Sequence, residues 1–249
     1  MKLTGKVVLI TGAARRIGRS IALDLARRGA ILALHYNTAA REARQLKAEI
    51  EKQGGEAHLF QADFSFSGKP LFPAIRNFLK KVTAELPRVD VLVNNAAIFY
   101  PTPFGKITEK DWDSFLALNL KAPFFLAQET GKQMLKRKSG KIINLVDWTG
   151  DRPTPDFLPY AISKAGLIAA TKGLAKALAP HVQVAGIAPG PILPAEKISP
   201  ARRKKAVAHS LLKRYGSPED IAKTVRFLIE GTDFITGAIF SVDGGASAV

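Results

Sequence analysis

Short apolar segments rich in β-branched residues alternate with amphipathic segments along the whole chain, and this alternation limits the fold more than any other feature. Six segments have helical periodicity, at residues 16–28, 38–53, 71–86, 109–138, 160–179 and 218–229. Seven have the composition of strands, at residues 6–11, 30–36, 56–62, 89–96, 140–146, 182–188 and 238–242. Several of these are apolar almost throughout, as is typical of parallel strands covered on both faces. The pattern predicts an α/β fold, with a doubly wound parallel sheet of about seven strands and helices on both faces.

The alternation continues without a linker, a repeat or a low-complexity stretch, so we predict a single domain over residues 1–249. One long segment, residues 189–215, begins with PGPILP and then becomes helical and basic. In a doubly wound sheet such an excursion after a late strand lies above the carboxyl ends, where ligands bind. We predict that this segment covers the substrate; the alternative is a loose surface helix.

Composition excludes several kinds of chemistry. The chain has no cysteine, which excludes disulfides, thiolate catalysis and zinc–thiolate sites. Its four histidines are scattered without ligand spacing, so no metal site is predicted. No apolar run is long enough to span a bilayer and no targeting pattern precedes the first strand, so we expect a cytoplasmic protein.

The chain is strongly basic, with 37 Lys and Arg against 21 Asp and Glu, a formal charge of +16. Such a surface would favour nucleic acid by releasing counterions from phosphates. Neither an aromatic stacking motif nor a helix-turn-helix pattern accompanies the basic clusters, which makes nucleic acid an unlikely partner. We predict instead a surface that attracts an anionic cofactor and a small-molecule substrate.

The first strand leads into a glycine-rich turn and a helix, in the sequence TGAARRIGRSIA at residues 11–22. Gly12 permits the sharp turn, and Gly18 allows the helix to pack closely on the sheet. The helix N-terminus would face a pyrophosphate with its backbone N–H groups. A glycine turn alone is weak evidence, but its place between a first strand and a helix predicts a Rossmann fold that binds a dinucleotide.

The same turn indicates which dinucleotide is bound. Arg16 stands where the middle glycine of such turns is usual, and the second strand ends in HYNT with no acidic residue to hold a ribose 2′-hydroxyl. The Arg16 guanidinium and the polar groups of Asn37 and Thr38 would suit a 2′-phosphate. We therefore predict NADP(H); the alternative is that Arg16 is a solvated residue at the helix start.

Tyr160 and Lys164 form a Y-x-x-x-K pair. On a helix, residues four apart share one face, so the ammonium can lie close to the phenol. A free tyrosine is a poor acid or base at neutral pH, and we expect the lysine charge to lower its pKa. The alternative is an incidental pair of surface residues.

With these motifs, the chain resembles the short-chain dehydrogenase/reductase family over its whole length. The motifs occur in the family's order: TGAARRIG, Asp63 in QADFS, NNAA at 94–97, Asn119, YAISK at 160–164, APG at 188–190 and VDGG at 242–245. The resemblance implies a proton donor at Tyr160, its electrostatic partner at Lys164, and a water of the proton relay held by Asn119. It also implies a homo-oligomer, commonly a tetramer built on the long central helices and the C-terminal strand.

The resemblance further implies the residues that line the cofactor. Asp63 would contact the adenine, and Lys164 the nicotinamide ribose. The remaining implied contacts are Gly12, Arg16, Ile17, Gly18, Tyr36, Asn37, Thr38, Asn95, Ala96, Ala97, Pro189, Gly190 and Ile192.

The chain departs from the family thirteen residues before Tyr160, where the usual serine is replaced by Asp147. An ionised carboxylate cannot donate a hydrogen bond, and it would face the negative charge that develops on a carbonyl oxygen. At about 4 Å and an effective dielectric near 20, the repulsion is roughly 4 kcal/mol. Asp147 is therefore protonated, points away, or serves a substrate that is not a simple ketone. A C=N bond with neighbouring N–H donors suits the carboxylate.

Four features resemble the pteridine reductases and the dihydromonapterin reductases: the arginine in the glycine turn, HY at the second strand end, Asp147, and the stretch NNAAIFYPTP. In that branch the phenylalanine of the stretch stacks on the pterin ring, which implies that role for Phe99; the alternative is a core aromatic. Trp148 and residues 151–156 are expected to border the substrate pocket. Ala97 differs from the serine often found in this branch.

The sequence thus predicts an NADPH-dependent reductase of a C=N bond in a pteridine-type substrate, such as a dihydropteridine, a dihydromonapterin or a dihydrofolate. The alternative is an NADPH-dependent carbonyl reductase acting on a 3-oxoacyl thioester or a small ketone. A binding protein without turnover is disfavoured because the Tyr160–Lys164 pair is intact.

Overall fold

The computed structural model describes residues 1–66, 68–193, 207–208 and 210–248. The described residues form seven strands, β1 (Val7–Ile10), β2 (Ile31–Tyr36), β3 (Glu56–Gln61), β4 (Val91–Asn94), β5 (Gly140–Leu145), β6 (Val182–Pro189) and β7 (Ile239–Val242). As predicted, they make one parallel sheet; its strand order is β3-β2-β1-β4-β5-β6-β7.

Helices connect the strands at each crossover described. They are α1 (Arg16–Ala26), α2 (Ala40–Lys52), α3 (Leu71–Glu85), α4 (Glu109–Leu116), α5 (Ala122–Lys136), α6 (Leu158–Leu178) and α7 (Pro218–Glu230). The single helix predicted over residues 109–138 is divided by a π-turn at Ala117–Lys121. Among the described residues, no helix is both long and apolar enough to cross a membrane.

Two hydrophobic layers enclose the sheet. Alternate residues of β1 supply them: Val8 and Ile10 join the layer formed with α1, α2 and α7, whereas Val7 and Leu9 join the layer formed with α3, α5 and α6. This division follows from the two-residue period of a strand, because both faces are covered. The prediction of a doubly wound sheet with helices on both faces is confirmed.

The observed strand ends explain where the polar groups of the carboxyl edge come from. β4 was expected over 89–96 but ends at Asn94, because the backbone N–H groups of Asn95 and Ala96 donate to the hydroxyl of Thr11 (2.9 and 3.0 Å) instead of continuing the ladder. Of the segment predicted to cover the substrate, residues 194–206 and 209 lie outside the described residues. That prediction stays a prediction.

His35 ties the glycine turn to the neighbouring strand. Its Nδ1 accepts from the Gly12 N–H (3.2 Å), so its Nε2 carries the proton and donates to the Ala62 carbonyl (3.1 Å). The imidazole stacks on Phe64 at a centroid distance of 4.6 Å and is 3% exposed. Burial lowers the pKa of His35 from 6.5 to about 4. The ring is therefore neutral at physiological pH, as both hydrogen bonds require.

This pKa predicts how stability depends on pH. Because the folded pKa lies below the unfolded one, the unfolded chain binds more protons between pH 4 and 6.5, and stability is lost as the pH falls through that window. The slope is about 1.4 kcal/mol per pH unit, so the free energy of unfolding falls by about 2 kcal/mol between pH 6.5 and 5. Urea unfolding at several pH values measures this, and His35→Gln should remove most of the slope. An equal slope in that variant would contradict the assignment.

Candidate active site

The predicted site residues meet at the carboxyl edge of the sheet. Thr11 and Gly12 follow β1, Asn95 follows β4, and Asp147 follows β5. β1 and β4 are neighbours in the sheet, and the chain leaves them on opposite sides, β1 toward β2 and β4 toward β5. Ligands of doubly wound sheets bind in the crevice at such a switch point.

Two glycines hold the first turn close to the strand beside it. Gly12 has φ of +63°, and a Cβ there would lie 3.0 Å from the Cα of Ala96. A Cβ on Gly18 would lie 2.3 Å from the Gly12 carbonyl oxygen, so no other residue fits without a shift. The Asn95 side chain fixes the turn by donating to the carbonyls of Thr11 (2.9 Å) and Gly12 (3.0 Å).

The start of α1 fits a pyrophosphate. Its N-cap, Arg15, makes no side-chain capping bond, and its first turn carries no acidic residue. By contrast, α4 and α7 begin with capping boxes that include an acidic residue. The Arg15 side chain thus caps none of the first N–H groups of α1, and the helix dipole favours an anion there.

Arg16 is exposed and has φ of +53°, a conformation that glycine adopts freely and other residues rarely do. Such a residue costs on the order of 1–3 kcal/mol of backbone strain. The turn therefore keeps the left-handed backbone conformation typical of glycine, although residue 16 is an arginine.

Around the end of β2, the expectation that no acid lies in reach is wrong. Asn37 donates to Asp63 Oδ1 (2.9 Å), which also accepts from the Ser65 N–H (2.8 Å). Glu42 lies nearby on α2 and pairs with Arg15 at 2.5 Å. No acidic residue directly follows β2, so the packing of β3 beside it is what brings Asp63 to its end. Arg15, which sequence reasoning missed, is a second cation in the turn.

The other predicted cofactor residues differ in how they are presented. Tyr36 and Ile17 are half-buried, and Thr38 and Ala97 are exposed. Pro189 ends β6, and the Gly190 N–H donates to the Val242 carbonyl (3.0 Å). The Ile192 side chain is buried in the core beside α1, so a cofactor contact from this residue would come from its backbone.

Asp147 and Tyr160 are hydrogen-bonded. The Tyr160 hydroxyl donates to Asp147 Oδ2 at 2.8 Å. The Lys164 ammonium donates to the Leu145 carbonyl (2.7 Å) and lies 5.7 Å from the centre of the Tyr160 ring. Tyr160 and Lys164 are 6% and 3% exposed. These contacts exclude an Asp147 that points away and a Tyr160–Lys164 pair on the surface.

The electrostatics differ from the expectation in one respect. Burial, and then the charge of Asp147, raise the pKa of Tyr160 well above its usual value, so the expected lowering by Lys164 is wrong for the free protein. Burial lowers the pKa of Lys164 to about 8, although Asp147 opposes this. Burial also raises the pKa of Asp147, opposed by hydrogen bonds from Thr149 and by Lys164. For Tyr160, burial is the largest cause of the raised pKa, and the Asp147 carboxylate, 2.8 Å from the hydroxyl, adds to it.

Asn119 lies within the π-turn between α4 and α5 and is fully buried. Its side chain accepts from the Ile98 N–H (3.0 Å), donates to the Ile98 carbonyl (3.1 Å), and donates to Ser163 Oγ (3.3 Å). Asn119 thus fixes the backbone next to Phe99 and links it to α6. π-turns often occur at functional sites; its role in a proton relay stays a prediction.

Phe99 is 49% exposed, which excludes the alternative that it is a core aromatic. One side of its ring stacks on Phe157 (4.7 Å, 7°), and its ring packs edge-on against Tyr160 (4.8 Å). A short bridge between Thr102 and Phe157 joins the two loops that carry the phenylalanines. Trp148 is half-buried in the 3₁₀ turn after Asp147. Phe157 was missed because loop–loop contacts leave no periodic signal.

Comparison with known proteins agrees with this geometry. Residues 12–247 match a family model described as enoyl-(acyl carrier protein) reductase. The chain is 37% identical over 248 residues to a 3-oxoacyl-[acyl-carrier-protein] reductase of Synechocystis, covering 98% of this chain and 97% of that protein. The chain belongs to the short-chain dehydrogenase/reductase family.

Two solved structures share the fold. FolM alternative dihydrofolate reductase 1 from Brucella canis, complexed with NADP, has a TM-score of 0.91 and 33% identity, covering 100% of this chain and 96% of that one. A blue fluorescent protein from a metagenomic library, in complex with NADPH, has a TM-score of 0.88 and 34% identity, covering 99% of each. The protein is an oxidoreductase of this family. Among the described residues, no three His, Cys, Asp or Glu side chains come together as a metal site.

The arginine in the glycine turn yields a test of cofactor choice. Arg16→Gly removes the cation and relieves the left-handed strain, so the free energy of unfolding should be unchanged or up to about 1 kcal/mol higher. The KM for NADPH should rise about tenfold or more, because a charge-assisted contact to the 2′-phosphate is lost, while the KM for NADH stays similar. Arg19→Ala, on the next turn of α1, is the control. An equal loss with both cofactors would contradict the role.

Proposed function

We propose that the protein reduces a C=N bond of a pteridine-type substrate, with NADPH as the hydride donor. The observation that carries this proposal is the carboxylate of Asp147, hydrogen-bonded to the Tyr160 hydroxyl at 2.8 Å. Further support comes from the half-exposed ring of Phe99 beside Tyr160, and from the likeness to a structure described as an alternative dihydrofolate reductase.

The hydrogen bonds of Asp147 favour its ionised form, against the burial that raises its pKa. Oδ1 accepts from the Thr149 N–H (2.9 Å) and hydroxyl (2.7 Å), and Oδ2 accepts from the Tyr160 hydroxyl. All of the donors point at the carboxylate, and an ionised carboxylate can only accept. Such a group binds substrate N–H donors and opposes the negative charge that a carbonyl oxygen gains on reduction. It therefore favours a nitrogen heterocycle over a ketone.

In the proposed reaction, the nitrogen of the C=N bond takes up a proton while its carbon takes up a hydride, which NADPH would supply when bound. Tyr160 donates this proton; its raised pKa keeps the phenol protonated at neutral pH. A substrate N–H that binds Asp147 Oδ2 would replace the Tyr160 hydroxyl there and free it to face the reacting nitrogen. The Lys164 ammonium, held by the Leu145 carbonyl, offsets the negative charge left on the phenol.

Phe99 would carry the substrate ring. One side of its ring is covered by Phe157, and nearly half of its surface is open. Stacked aromatic rings are favourable at centroid distances of 4.5–7 Å, and a planar pteridine would extend the existing Phe99–Phe157 stack. Trp148, in the turn after Asp147, would border the same pocket.

Reduction of a 3-oxoacyl thioester is the second candidate. It is favoured by the names of the sequence relatives, among them 3-oxoacyl reductases of Synechocystis at 37% identity and Staphylococcus epidermidis at 36% over 244 residues. It would require Asp147 to take up a proton and donate to the carbonyl. The Tyr160 and Thr149 donors oppose that state.

The substrate class is tested by NADPH oxidation with dihydrobiopterin, dihydromonapterin, dihydrofolate and a β-keto ester. We expect turnover of at least one pteridine and little of the keto ester. Asp147→Ser should lower pteridine turnover about tenfold or more, since a charged hydrogen bond to the substrate is lost, and should raise keto-ester turnover. Tyr160→Phe is the control that should nearly abolish both. Unchanged pteridine rates in Asp147→Ser would refute the proposed role of the carboxylate.

We also propose that the protein is a homo-oligomer, as a tetramer is common in the family. A groove between α5 and α6 is lined mostly by apolar and small side chains, among them Phe124, which is 37% exposed, and also by Gln128 and Lys132. Gly173 lies on α6 in this groove, and a Cβ there would have no atom within 4 Å. A mid-helix glycine costs about 0.5–1 kcal/mol relative to alanine, which close approach of a second helix would offset.

A charged side chain in this groove tests the assembly. Gly173→Arg fits the open space of one chain, so the fold should persist, but the cation would block the approach of a second copy. Light scattering coupled to size exclusion should then show a smaller species than the wild type. Ala48→Arg, on the exposed face of α2, is the control that should leave the mass unchanged. A wild-type monomer, or an unchanged mass in Gly173→Arg, would rule out this interface.

A further inference from the structure

Thr149 donates two hydrogen bonds to one carboxylate oxygen of Asp147, Oδ1. Asp147 is the N-cap of the 3₁₀ turn Trp148–Gly150, and its Oδ1 accepts from the Thr149 backbone N–H at 2.9 Å. Any residue except proline at position 149 could make that capping bond. The second bond, from Thr149 Oγ1 at 2.7 Å, depends on the threonine side chain.

These two bonds fix the orientation of the Asp147 carboxylate. With Oδ1 held by the turn, Oδ2 faces the Tyr160 hydroxyl at 2.8 Å. Hydrogen bonds to the charged form of an acid favour that form, and a hydroxyl at 2.7 Å to a carboxylate is a strong contact of this kind. Burial acts in the opposite direction and favours the neutral acid. The hydroxyl of Thr149 is therefore one of the few groups that oppose protonation of Asp147.

We propose that Thr149 is a positioning residue that keeps Asp147 ionised and its Oδ2 directed at Tyr160, and that it thereby sets the preference for substrates with N–H donors over carbonyl substrates. This inference rests on the proposed function for its consequence in catalysis, but its effect on Asp147 exists in the free protein. Without the hydroxyl, Asp147 would take up a proton more readily and could donate to a carbonyl oxygen, as the usual serine of the family does.

Two variants separate the hydroxyl from the backbone bond. Thr149→Val keeps the shape and the capping N–H but removes the hydroxyl, whereas Thr149→Ser keeps both donors. The pKa of the Asp147 carboxyl is followed by ¹³C NMR or infrared spectroscopy of the free protein, with Asp147→Asn to assign the signal. Thr83→Val, which removes a hydroxyl bonded to the Leu79 carbonyl in α3, is the matched control.

We expect the pKa of Asp147 to rise by about one unit, a tenfold change in its acid dissociation constant, in Thr149→Val but not in Thr149→Ser or Thr83→Val. In the pH profile of kcat/KM for the dihydropteridine substrate, the acidic limb should shift to higher pH by a similar amount. The ratio of keto-ester to pteridine turnover should increase. An NADPH dissociation constant close to that of the wild type would show that the fold is kept.

The outcomes distinguish the two proposals. A raised pKa of Asp147 in Thr149→Val supports the role of Thr149 even if no pteridine is turned over, and in that case the proposed function alone fails. An unmoved pKa, or the same shift in Thr149→Ser as in Thr149→Val, overturns the role of Thr149. Equal pH profiles in wild type and Thr149→Val, with pteridine turnover established, overturn it as well.

Discussion

A parallel sheet must be covered on both faces, and the rest of this structure depends on that constraint. From the carboxyl end of each strand the chain has to return to the amino end of the next strand. Here it does so through helices that bury the apolar side chains of alternate strand residues. Every segment that leaves a strand therefore starts at the same edge. Thr11, Asn95, Asp147 and Gly190, far apart in sequence, are brought to one edge by this return path alone.

At that edge, polar groups that lie beyond the strand ends form the hydrogen bonds that shape the site. β4 stops at Asn94, so its next two backbone N–H groups bind Thr11, and the Asn95 side chain holds the glycine turn. The imidazole of His35, neutral because it is buried, fastens the same turn to the end of β3. At the start of α1, the side chain of the N-cap residue Arg15 caps none of the N–H groups. Rigid packing around an open helix terminus is what binding of a pyrophosphate requires.

The sequence predicted those parts of the site that depend on regular spacing. The spacing of apolar residues, which differs between strands and helices, predicted the sheet and its helices. Lys164 and Asp147 were located by their distance in sequence from Tyr160. It could not predict contacts that depend on irregular backbone. The π-turn that places Asn119 adds one residue to a helical turn, and the stacking of Phe157 joins two loops. The raised pKa of Tyr160 depends on its burial and on the Asp147 carboxylate beside it, and neither can be read from the spacing of residues in the sequence.

Asp147, Tyr160 and Lys164 are best understood as one set of charges. A lysine that is 3% exposed would be costly alone, and Asp147 is the charge that opposes the lowering of its pKa to about 8. The same carboxylate raises the pKa of Tyr160, which preserves the phenol as a donor but makes it a weaker acid. A substrate that binds Asp147 through N–H groups would partly neutralise the carboxylate and so make Tyr160 more acidic as the reacting nitrogen needs the proton. A ketone offers no such donor, so under the proposed function this arrangement would couple recognition of a nitrogen heterocycle to release of the proton.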